Sequence, residues 1–189
     1  MREVTKTYRV YKWEDLSEEQ QEKVIENYWD INVDYEWWDH VYDDAENIGL
    51  KITEFDLDRG SYVRGDFIGY AMDTATKILA DHGEHCETYK TAQDYFVEYK
   101  RMIEAQCQAE ADLLCIAFAF EEGYAEIHYD LEELITDDID REFLRSLCED
   151  YRISLQREYE YLTSREAIIE AIVANEYEFG ENLKIWGGE

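Results

Sequence analysis

Once the carboxylates are set aside, few residues in this sequence could do chemistry. Nucleophilic catalysis needs a Ser, Cys or Thr hydroxyl or thiol with a base held beside it. The histidines available for that role are His40, His82, His85 and His128. His82, His85 and Cys86 form an H-x-x-H-C cluster, and imidazole and thiolate are zinc donors. A structural zinc site draws its remaining ligands from a second short pair. No such pair accompanies this cluster, so a polar loop at a helix end is the better reading. Asp56-x-Asp58-x-Gly60, followed by Asp66, opens like a calcium loop. The EF-hand pattern requires glycine at its sixth position and glutamate at its twelfth. Here those positions hold Ser61 and Phe67, and a hairpin turn with solvated carboxylates explains the run. Neither G-x-G-x-x-G nor G-x-x-x-x-G-K occurs, so no phosphate loop is present. Paired carboxylates could serve glycoside hydrolysis, but acids are too abundant here for any one pair to be informative. No catalytic residue, cofactor or metal ligand is assigned on this reading.

The carboxylates themselves are the stronger signal. The chain carries 47 Asp and Glu against 18 Lys and Arg, a formal net charge of -29. Their distribution is uneven. Residues 14–58 hold 16 acids and 2 bases, and residues 104–142 hold 13 acids and 1 base. The first stretch of the chain, with Arg2, Lys6, Arg9 and Lys12, is basic. Phosphate-bearing partners, whether nucleic acid or an anionic membrane, are disfavoured, and a basic protein surface is favoured. Duplex DNA shows one charge per roughly 1.7 Å of axis. Helical residues three or four apart lie about 5–6 Å from each other. A helix carrying Asp39, Asp43, Asp44 and Glu46 can therefore imitate a row of phosphates. Glu121 and Glu122 lie in the second acidic run. Adjacent helical residues point about 100° apart, so of Trp37 and Trp38 one anchors the core and the other faces outward. Trp37 is taken as the outward residue, a partner anchor of the kind aromatic side chains supply. The competing reading is that the acidity serves solubility or adaptation to high salt.

These residues need a scaffold, and the composition supplies one. Aromatic residues make up 15% of the chain, far more than acidic disordered chains contain, so a core can form. Alternation at 5–13 predicts a strand. Ser17-Glu18-Glu19-Gln20 is a capping box that starts a helix, with Val24, Ile25, Tyr28 and Trp29 on one face. Asn32 or Asp34 caps a second helix running through Trp37, Trp38, Val41, Ala45 and Ile48 to Gly49. Residues 50–58 read as a strand with one slip that marks a bulge. A turn at Arg59-Gly60 and a return arm at 62–68 complete a hairpin. Residues 71–81 are helical. Thr91 caps a long helix, residues 105–120 continue or restart it, and Glu121-Glu122-Gly123 breaks it. Residues 127–135 are ambiguous. A helix covers 137–161, a second capping box at Thr163-Ser164-Arg165-Glu166 opens another, and 177–186 form a small hairpin.

Strands and helices do not alternate regularly, which argues for α+β over a doubly wound sheet. The expected architecture is a mostly helical single domain, 1–189, with a small antiparallel sheet formed by the N-terminal strand and hairpins. A subdivision near 83–91 is the alternative. Cys86, Cys107, Cys115 and Cys148 make no C-x-x-C pair and suit a reducing compartment. The charged, alternating residues 1–11 do not resemble a secretory leader. No apolar run approaches the ~20 residues needed to span a bilayer. The expected setting is the cytoplasm, as a monomer or as a homodimer joined through the apolar stretch 113–120.

Several of these segments resemble a group of small acidic phage and prophage proteins loosely labelled antitoxin-like. The resemblance rests on Trp13-Glu14-Asp15-Leu16-Ser17-Glu18-Glu19-Gln20-Gln21-Glu22-Lys23, Trp37-Trp38-Asp39, Gly49-Leu50-Lys51-Ile52, Phe55-Asp56-Leu57-Asp58-Arg59-Gly60 and Ala174-Asn175-Glu176-Tyr177-Glu178-Phe179. It spans most of the chain and implies a host bacterial cytoplasm. In character the chain is similar to phage DNA mimics that block restriction or CRISPR enzymes. The expected function is a non-enzymatic inhibitor of a basic, nucleic-acid-handling host defence protein. An antitoxin for a basic toxin and a metal-assisted hydrolase are the alternatives.

Overall fold

The computed structural model describes residues 2, 7–117 and 125–187, with side chains for 2, 7–105 and 138–187. Ser17 opens helix α1 (Glu18–Asn27) with the reciprocal bonding its sequence predicts. The Gln20 amide donates to Ser17 Oγ at 3.4 Å, and the Ser17 amide donates to Gln20 Oε1 at 2.9 Å. Two amides that the first helical turn would leave without partners are thereby satisfied.

The chain divides into two compact units, 1–38 with 156–189, and 39–155. The divisions fall between Trp38 and Asp39 and within helix α5 (Ala125–Leu162). The polar stretch 83–91 lies inside the second unit, where it joins α3 (Ala71–Asp81) to α4 (Glu87–Ala117). The fold is α+β and mostly helical, with six α-helices and two separate two-stranded antiparallel sheets among the described residues.

In the first unit, β1 (Val10–Tyr11) pairs with β4 (Phe179–Gly180) near the other end of the chain. Of the strand expected at 5–13, residues 5 and 6 lie outside the described residues, and Trp13 already starts a 3-10 turn over Trp13–Asp15. The expected C-terminal hairpin is a tight loop, closed by a bridge between Phe179 and Ile185. Helix α6 (Arg165–Ala174) is capped by Ser164, whose Oγ accepts from the Ala167 amide at 3.2 Å. Thr163, expected as the cap, instead donates its hydroxyl to the Tyr159 carbonyl of the preceding helix. Leu16, Val24, Ile168, Ile172 and Phe179 form the core that joins α1, α6 and β4.

In the second unit, α2 (Asp39–Ile48) buries Val41, Ala45 and Ile48 and leads into a hairpin of β2 (Leu50–Asp56) and β3 (Tyr62–Phe67). Gly49 makes the turn with φ of 95°, a left-handed conformation that costs glycine little. A Cβ at Gly49 would stand 3.0 Å from Thr74 Oγ1, so close packing also demands glycine. The register shift in the hairpin falls between Ile52 and Glu54, where the slip in alternation predicts a bulge. Helix α3 occupies its expected span of 71–81. Helix α4 begins at Glu87, a turn before the expected Thr91 cap, and the ambiguous stretch 127–135 is helical within α5. Tyr95, Phe143, Leu147, Tyr151 and Leu155 are all buried. Among the described residues, no helix is long and apolar enough to cross a membrane.

Candidate functional site

Helix α2 positions the acidic row. Its apolar residues recur at Val41, Ala45 and Ile48 and face inward, which leaves Asp39, Asp43, Asp44 and Glu46 exposed. Asp39, in the first turn, is also favoured by the positive end of the helix dipole. Among the described residues, no ion pair engages Asp39, Asp43 or Glu46.

Asp44 differs from its neighbours. The Tyr151 hydroxyl donates to Asp44 Oδ2 at 2.8 Å, and His82 Nε2 lies 3.6 Å from Oδ1. On its other side, His82 Nδ1 lies 2.7 Å from Thr88 Oγ1. The neighbouring His82 imidazole holds the Asp44 carboxyl below its ordinary range. Partial burial opposes that effect and the Tyr151 hydroxyl reinforces it. Burial, and then the Asp44 charge, push the Tyr151 phenol far above its usual range. The order hydroxyl, imidazole, carboxylate is the one a nucleophilic triad uses. Here, however, the carboxylate is shared with a buried tyrosine. The arrangement works as a clasp that ties α2, α4 and α5 to His82 at the end of α3.

Trp37 is not an outward anchor. It retains 7% of its exposure and packs inside the first unit, edge-on to Trp38 at 5.7 Å between centroids and tilted against Tyr159 at 5.8 Å. The helix expected to carry it starts only at Asp39, so the two tryptophans are not set by helical phase. Trp38 is half-buried. Glu121 and Glu122 lie outside the described residues. His85 and Cys86 are exposed, and among the described residues no group of three or more His, Cys, Asp or Glu side chains is arranged to hold a metal.

Several polar contacts in the second unit were not expected from the sequence. The first is Tyr151 to Asp44. Another is the Thr91 hydroxyl, which donates to Asp150 Oδ2 at 2.6 Å. A signal for the first was present: Tyr151 falls in the apolar phase of its helix, and a buried tyrosine hydroxyl normally finds a partner. No protein-family model, curated protein or solved structure matches this chain.

Proposed function

We propose that this chain is an acidic binding protein of the phage anti-defence kind. On this reading it occupies the nucleic-acid-binding surface of a basic host protein, such as a CRISPR effector or a restriction enzyme. The supporting observation is the outer face of α2. Asp39, Asp43 and Glu46 stand exposed at helical spacing on an element whose opposite face is buried. A row of charge held on a folded helix enters a Lys/Arg-lined groove with little further ordering cost. Asp44 supports the row from within the fold, because the Tyr151 hydroxyl and His82 already engage its carboxylate.

The test is inhibition. DNA cleavage by the host's purified restriction and CRISPR effector enzymes is titrated with the full chain at low and high salt. The reading expects one enzyme to be inhibited, with potency falling steeply as salt rises, because exposed charges are screened within about 10 Å at 0.1 M. The triple variant Asp39→Asn, Asp43→Asn, Glu46→Gln should weaken inhibition by about tenfold, the sum of three exposed ion pairs. Inhibition that ignores both salt and the triple variant refutes the role of α2, and no inhibition of any such enzyme refutes the reading as a whole.

A further inference from the structure

In the first unit, β1 and β4 pair through Val10 with Gly180 and Tyr11 with Phe179. Beyond Val10 and Gly180 the two segments part, because residues 180–186 fold into their tight loop. A groove of about 960 Å³ opens between that loop and residues 7–9. The loop is firmly held. The Gly180 amide donates to the Lys184 carbonyl at 2.9 Å, the Lys184 amide to Asn182 Oδ1 at 3.1 Å, and the Trp186 amide to the Glu178 carbonyl at 2.7 Å. Leu183 takes φ of 57°, a left-handed conformation that residues with side chains rarely adopt. Lys184 and Trp186 therefore project from a backbone with little freedom.

Two kinds of side chain line the groove. Tyr8 and Trp186 supply rings, 4.7 Å apart between centroids and tilted by 48°. Trp186 backs onto Gly180, where a Cβ would stand 3.9 Å from Trp186 Cε3, while Tyr8 retains 39% of its exposure. Arg9 and Lys184 supply cations. Both are exposed, and no ion pair among the described residues engages either. By contrast, Arg64, Arg101 and Arg165 are each held by a carboxylate. Among the described residues that line the groove, Glu181 is the one acid.

An exposed ring beside two cations suits an anion that carries a flat ring of its own. Nucleobases stack on aromatic side chains whatever their identity, and Arg and Lys both hold phosphate. A cationic ligand would meet Arg9 and Lys184, and a bare anion would leave the ring unused. Length is limited as well. A long polyanion would run onto the rest of a chain whose net charge is -29. A mononucleotide ends within the groove, and charges beyond about 10 Å are screened at 0.1 M salt.

We propose that this groove is a binding site for a mononucleotide, with the base laid on Tyr8 and the phosphate held by Arg9 and Lys184. It does not depend on the reading of α2. The probe is adenosine monophosphate, titrated into the full chain and followed by NMR. Saturable shifts are expected at the Arg9 and Lys184 amides and at the Trp186 indole N–H. Adenosine and inorganic phosphate, each alone, should bind at least about tenfold more weakly. Arg9→Gln with Lys184→Gln, both at exposed positions, should weaken the nucleotide by about tenfold. Glu181→Gln should tighten it by about threefold, since the one lining acid is removed.

Shifts that do not saturate overturn the site, as does binding that survives the double variant unchanged. Inorganic phosphate that binds as tightly as the nucleotide reduces the groove to a patch of positive charge and overturns the role of Tyr8. A single-stranded oligonucleotide that binds more tightly than the mononucleotide overturns the limit on length.

Discussion

Replacing Tyr151 by phenylalanine removes one oxygen and little else. The ring is 3% exposed and keeps its packing, while the hydroxyl that reaches Asp44 Oδ2 at 2.8 Å is lost. A hydrogen bond to a charged group contributes about 1.5–3 kcal/mol when its surroundings are dry. The Asp44 side chain retains 54% of its exposure, so water replaces part of what the phenol supplied. The expected cost therefore falls below that range, at about 1 kcal/mol. Urea unfolding followed by far-ultraviolet circular dichroism measures it, with Asp44→Asn and the double variant completing a cycle. The cycle should return a coupling of about 1 kcal/mol. The pH dependence follows from the lowered Asp44 value. The native state favours the charged carboxylate, so this contribution is fully present above the ordinary carboxylate range and is lost as pH falls through the lowered value. The gap between the protein and Tyr151→Phe should thus be constant near neutrality and narrow below about pH 4. A loss under about 0.3 kcal/mol at neutral pH, or an additive cycle, refutes the clasp.

Asp150 has the opposite sign. Burial comes first among the effects that raise its carboxyl, and the Thr91 hydroxyl only partly offsets it. Its charged form therefore opposes folding above the raised value, and that penalty fades as pH falls through it. Asp150→Asn should be at least as stable as the protein near pH 7 and lose its advantage at about pH 3; urea titrations at the two pH values decide this. Among the thiols with described side chains, Cys86 is exposed and Cys148 is buried, with burial pushing the Cys148 thiol up to about 11. The thiolate is the reacting form, so iodoacetamide near pH 8 should modify Cys86 first and reach Cys148 only as urea unfolds the second unit. Peptide mass spectrometry reads the order.

Local signals were legible where local chemistry decides the structure. Ser17 and Gln20 bond each other within a single turn, and both lie within a few residues of sequence. The slip in alternation after Ile52 appears as the register shift, and Gly49 takes the left-handed turn its position suggests. The first turn of α2 was misread because the apolar pattern runs back through Trp37 and Trp38, whose rings are placed by aromatic packing rather than helical phase. Thr91 is a plausible cap by type, but its hydroxyl is taken by Asp150 in the neighbouring helix. The acidic row could be read from spacing alone, since Val41, Ala45 and Ile48 dictate which side of α2 faces outward. The distinct state of Asp44 could not, because Tyr151 is far away in sequence and only the packed unit brings the two together.

The division of the chain also sorts its chromophores. Trp13, Trp29, Trp37, Trp38 and Trp186 are all the tryptophans there are, and every one belongs to the first unit. The acidic row and the clasp both belong to the second, whose aromatic side chains include tyrosine and phenylalanine but no tryptophan. Intrinsic tryptophan emission is thus a private signal of one unit, while circular dichroism sums the helices of both. Unfolding curves from the two signals that coincide mean that the units melt as one. Curves that separate assign each midpoint to its unit without any added label.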